Sequence, residues 1–76
     1  MNNIRRKAIS AIMEKLEAIY EELESIAADE EEAFDNMPES LQESERGEKS
    51  QECIDNLNDV LSQIEDIRDL LEETIN

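Results

Sequence analysis

From Ile9 to Met37 an apolar residue returns every three or four positions, through Ile9, Ile12, Leu16, Ile19, Leu23, Ile26, Ala33 and Met37. A second row runs Cys53, Leu57, Val60, Ile64, Ile67 and Leu71. Between the two the period fails: Leu41 is the only apolar residue from Pro38 to Lys49 that the pattern offers, and Asn36-Met37-Pro38 steers the backbone out of helix. Two heptad seams around one break confine the chain to two long helices folded onto each other. The first is expected over residues 3–34, with Asn3 as its cap, and the second over 44–74, with Ser44 as its cap and 35–43 as the turn. Ser40, just past Pro38, offers an earlier start to the second helix, and Gly47 weakens its first turns in either case. At 1.5 Å per residue the two helices are about 46 and 45 Å long. Equal lengths suit an antiparallel helical hairpin, so the fold class is all-α.

Both stripes are wider than one partner helix can cover. Met13, Tyr20, Ala27 and Phe34 flank the first seam, while Ile54, Leu61, Leu70 and Ile75 flank the second. With one Phe, one Tyr and no Trp in 76 residues, there is little bulky material for a private core. A homodimer, two hairpins sharing one core as a four-helix bundle, is therefore expected, with Leu16, Ile19, Leu23, Leu57, Val60, Leu61 and Ile64 at the dimer interface. The rival is a hairpin that waits for a different protein.

Acids number 22 against 7 bases, a net charge of −15. Such a surface repels itself and excludes direct contact with nucleic acid or anionic lipid, but it suits a basic protein target. The one basic cluster, Arg5, Arg6 and Lys7, falls at the wrong end of its own helix dipole, as do Asp66, Asp69, Glu72 and Glu73 at the end of the second helix. An antiparallel pairing sets the two clusters side by side. The last turns of the first helix crowd Asp29, Glu30, Glu31 and Glu32 where the dipole prefers cations, so that end is expected to fray or to meet something positive. Two fully overlapped hairpins would carry about 30 negative charges along about 46 Å, close to the ~1.7 Å per charge of duplex DNA.

Motifs for chemistry are sparse. Glu14/Glu17 and Glu52/Asp55 place carboxylates three residues apart on one helix face, a spacing that all-helical nucleotide pyrophosphohydrolases use to hold a divalent metal. Pairs of this kind arise freely in so acidic a chain, Glu21/Glu24 and Asp66/Asp69 among them, and an antiparallel pairing does not bring Glu17 opposite Glu52. No metal site, cofactor or catalytic residue is expected. With no His and one Cys, neither a structural zinc site nor an internal disulfide is available, and Cys53 reads as a small buried hydrophobe. Tyr20 reads as core edge with its hydroxyl reaching water. The apolar stretch Ala8–Met13 is closed by Glu14 and is too short for a signal peptide or a membrane span, so no membrane association and a cytoplasmic location are expected.

The run Ala33-Phe34-Asp35-Asn36-Met37-Pro38-Glu39-Ser40-Leu41-Gln42-Glu43-Ser44-Glu45-Arg46-Gly47-Glu48, with Ile54-Asp55-Asn56-Leu57 beyond it, resembles a pattern in small uncharacterised acidic helical proteins of bacterial, phage and prophage genomes. It spans about half the chain, and helical propensity does not demand Asn-Met-Pro-Glu-Ser-Leu-Gln or Ser-Glu-Arg-Gly-Glu. The resemblance implies a setting, the cytoplasm of a bacterial host cell, where small acidic proteins block nucleases and other DNA-handling or defence proteins. Three functions follow as expectations. The leading one is an inhibitory binding module, a DNA mimic that offers Glu30, Glu31, Glu32, Asp35, Glu39, Glu43, Glu45 and Glu48 around the turn to a basic site. The others are a structural or scaffolding bundle and, remotely, a metal-dependent nucleotide pyrophosphohydrolase.

Overall fold

The computed structural model describes all 76 residues. It is helical throughout: α1 spans Asn3–Asp35, a single turn α2 spans Glu39–Gln42, and α3 spans Glu45–Ile75. Asn2, one residue earlier than expected, is the cap of α1, its side-chain oxygen accepting from the Arg5 backbone N–H at 2.9 Å. Ser44 occupies the cap position of α3 in an extended conformation, but its hydroxyl donates back to the Leu41 carbonyl and leaves the helix N-terminus uncapped by a side chain.

The end of α1 is helical to Asp35, and no cation of the chain itself meets it. The Asn36 backbone N–H closes it on the Glu32 carbonyl, and the Met37 N–H follows on that of Phe34. The Gln42 amide then donates to the Phe34 carbonyl at 3.0 Å and to that of Met37 at 3.2 Å. A neutral amide from α2 thus satisfies the carbonyls that the acidic last turns cannot. Gly47 explains why α2 and α3 fold so closely together. It is buried, and a β-carbon there would run into the backbone of Leu41 and Gln42.

The long helices lie side by side in a body of 58 × 15 × 13 Å. Their cross-links run in opposite senses: Glu17 meets Arg68, Tyr20 meets Glu65, and Glu30 meets Ser50. The seam between them differs from the expected one. On α1 it is Ile9, Met13, Leu16, Tyr20, Leu23, Ala27, Glu30 and Phe34, and on α3 it is Gly47, Ser50, Ile54, Leu57, Leu61, Ile64, Arg68, Leu71 and Ile75, all buried or half-buried. The steps alternate between three and four residues on both helices, the heptad pattern of a helix pair. Ile12, Ile19, Ile26, Val60, Ile67 and Cys53, expected at the seam, are exposed one row to the side. The isoleucine rows do not face the partner helix. The packing instead follows the small residues Ala27, Gly47 and Ser50, which let the backbones approach, and the long side chains Tyr20 and Arg68, which close the seam further out.

Candidate functional site

The seam divides the surface of the pair into two edges of opposite chemistry. On one flank the next row holds Glu17, Glu24 and Glu31 of α1 and Gln51, Asn58, Glu65 and Glu72 of α3. Glu17 reaches across to the seam residue Arg68 at 2.9 Å, and Glu65 reaches back to accept from the Tyr20 hydroxyl at 2.6 Å. Both rows therefore lie on the same side of the pair. Shallow clefts run along that side, lined in turn by Glu17, Tyr20, Glu65 and Arg68, by Tyr20, Glu24, Ala27 and Asn58, and by Glu31, Phe34, Gln51 and Ile54. This is the acidic edge.

At its centre the Arg68 guanidinium lies 5.6 Å from the centre of the Tyr20 ring. The Tyr20 hydroxyl titrates above its ordinary value, first because it donates to the Glu65 carboxylate, then through desolvation and the negative charges of Glu65 and Glu24. Tyr20 is thus a seam residue held by a carboxylate, not a core-edge phenol wetted only by water. This cross-link required the register between the helices, which the pattern of either helix alone does not supply.

On the other flank the row reads Arg5, Ile12, Ile19, Ile26 and Ala33 on α1, and Arg46, Cys53, Val60, Ile67 and Thr74 on α3. No acid stands in it. This is the apolar edge, and Cys53 belongs to it instead of the interior. Of the residues expected at a dimer interface, Ile19 and Val60 are exposed here. Leu61 and Ile64 are buried between the helices of one chain, with Leu16, Leu23 and Leu57 half-buried beside them.

Around the turn, the eight acids expected to contact a partner do not stand alike. Glu30 is half-buried on the seam and accepts from the Ser50 hydroxyl at 2.7 Å, so it is engaged within the fold. Glu45 lies 3.7 Å from Lys49 in an exposed pair. Glu31, Glu32, Asp35, Glu39, Glu43 and Glu48 are exposed with no ion pair. Arg5, Arg6 and Lys7 do not form ion pairs with Asp66, Asp69, Glu72 or Glu73, because the register that sets Glu17 beside Arg68 and Tyr20 beside Glu65 carries them past the last turn of α3. Across the whole chain only Glu17, Glu30, Glu45, Asp55 and Glu65 bond to another side chain, leaving 17 of 22 carboxylates without a partner.

Glu17, half of one candidate metal pair, is taken by Arg68, and Glu52 is exposed elsewhere on α3. No three acid or Cys side chains come together as a cation cage. No helix is long and apolar enough to cross a membrane. No family model, curated protein or solved structure matches the chain.

Proposed function

We propose that this chain is a small acidic protein-binding module without catalytic activity of its own. In this reading it is an antiparallel helical hairpin, paired with a second copy as a four-helix bundle, that offers carboxylates to the basic nucleic-acid site of a target protein. The observation that carries the proposal is the 17 unpartnered carboxylates, of which only Glu39 and Glu48 stand in the first turn of a helix, where the dipole favours an acid. A fold needs acids at helix N-termini and in a few pairs, and the rest cost self-repulsion.

Charge density links the function to pairing. One chain carries a net −15 over 58 Å, about one charge per 4 Å, well short of the ~1.7 Å of duplex DNA. Two chains side by side reach about one per 2 Å, which is close to it. The resemblance of the turn region to acidic proteins of phages and prophages supports a bacterial cytoplasmic setting and a host nucleic-acid-handling or defence protein as the target. A scaffolding bundle is the second reading, favoured by the apolar edge, which needs no acidic surface to act.

The test is capture of a partner from bacterial lysate by the parent protein and by a variant with Glu31, Glu32, Glu43 and Glu48 changed to Gln. The substitutions keep size and helix propensity, so the variant is expected to fold as well as the parent. It is expected to lose the partner, whose binding to the parent weakens with salt and is displaced by duplex DNA. Equal capture by parent and variant, with no displacement by DNA, contradicts the inhibitory reading and leaves the scaffold.

A further inference from the structure

We propose that the apolar edge is the surface on which a second copy of this chain docks. The inference rests on the paired-hairpin reading above and assigns its interface, which is not the row of residues buried inside each pair. Ile19 and Ile26 on α1 and Val60 and Ile67 on α3 are between 41% and 54% exposed, on one side of the molecule. Seven-residue spacing keeps each pair in a line along its helix, and the opposed register sets Ile19 level with Ile67 and Ile26 level with Val60.

Area gives the second argument. The chain exposes 5753 Å², whereas a compact monomer of 8.8 kDa exposes about 4,800 Å². The excess of about 1,000 Å² belongs to a rod of 58 × 15 × 13 Å, and a second rod laid along its length can bury the ~800 Å² that each partner contributes to a stable interface. The single chain buries Ile54, Leu61 and Ile64 in one layer between its helices and leaves the apolar edge outside it.

Charge decides what that something is. A basic partner is drawn to the acidic edge and the turn, away from a row whose only charged members are Arg5 and Arg46. A second copy brings the same acid-free row. At this edge two chains of net charge −15 meet without a carboxylate from either row facing the other. Contact is then apolar along the row itself, opposed by Glu22, which borders the hollow beside Ile19 and Ile26, and by the field of the remaining acids, which salt screens.

Sedimentation equilibrium across micromolar concentrations, at low and high salt, tests the assignment on the full chain. The parent is expected to be a dimer that tightens as salt is added, the opposite of its binding to a basic target. Ile26→Gln with Ile67→Gln removes four apolar side chains from the dimer and is expected to weaken it at least about a hundredfold while helicity persists. Should that variant lose its helicity, alkylation of Cys53 in the parent gives the same answer. Its rate falls as protein concentration rises if the edge is covered, and a rate independent of concentration overturns the proposal. A parent that stays monomeric, or a folded double variant that dimerises as the parent does, also overturns it. Partner capture is scored separately. Capture by a monomeric parent removes this interface and leaves the acidic module standing, while loss of capture by an intact dimer does the reverse.

Discussion

At the scale of single residues, the positions that fix this fold are small or polar ones on the seam. Gly47 is the clearest, because the space for a side chain is already filled by the carbonyls that end α2. Gly47→Ala must push α2 away from α3, and overpacking of this kind costs about 1–3 kcal/mol. The expected outcome is a lower midpoint in urea, even though alanine is the better helix former. A midpoint equal to the parent's would mean that α2 is not held against α3. Tyr20 gives a second, pH-dependent expectation. Its hydroxyl is raised in the folded chain, chiefly by donating to Glu65, so folding favours the protonated phenol. The stabilisation is present in full below the ordinary value near 10 and is lost as pH rises through the raised one. Melting curves of the parent should therefore fall more steeply above pH 10 than those of Tyr20→Phe. Parallel curves would show that the Tyr20–Glu65 link is absent in solution.

At the scale of elements, the two long helices and the break between them were legible from periodicity and from Pro38, because apolar spacing and proline act locally. Which row of each stripe faces the other helix was not. Isoleucine and valine at Ile12, Ile19, Ile26, Val60 and Ile67 outweigh Ala27, Glu30, Gly47, Ser50 and Arg68 on any hydrophobic count, yet the second group is inside. Close backbone approach at the small residues and the Glu30–Ser50, Tyr20–Glu65 and Glu17–Arg68 links are properties of the pair, invisible in either helix. The single turn α2 was legible only as an earlier start of the second helix at Ser40, since its Gln42 has meaning only beside the end of α1. Of the acids proposed at the turn, Glu30 alone sits on the seam, and its bond to Ser50 is not visible in the pattern of either helix. The corrected seam yields a contrast that the isoleucine-based one reverses. Ile64 is buried between α1 and α3, so Ile64→Asp should abolish cooperative unfolding by circular dichroism, because an unpaired carboxylate cannot be held there. The same change at the exposed Ile67 should leave the helical signal of an isolated chain largely intact. Equal damage at both sites would mean that the row through Ile67 is part of the internal seam.

At the scale of the whole molecule, the account is a rod with two working sides. One edge is apolar and free of acids, and the other, with the turn, carries unpartnered carboxylates in excess of what the fold uses. Under the proposal, self-association and target binding respond to salt in opposite senses, and pairing raises charge density toward that of duplex DNA. The most direct test is a covalent-labelling footprint that reads aliphatic side chains and carboxylates together, on the protein alone and on its complex with the captured target. The account predicts that Ile19, Ile26, Val60 and Ile67 are protected in the protein alone and stay so in the complex. It predicts that Glu31, Glu32, Glu43 and Glu48 react freely until the target is added and are then protected. Aliphatic residues of the apolar edge that react freely in both samples, or turn carboxylates whose reactivity the target does not change, would contradict it.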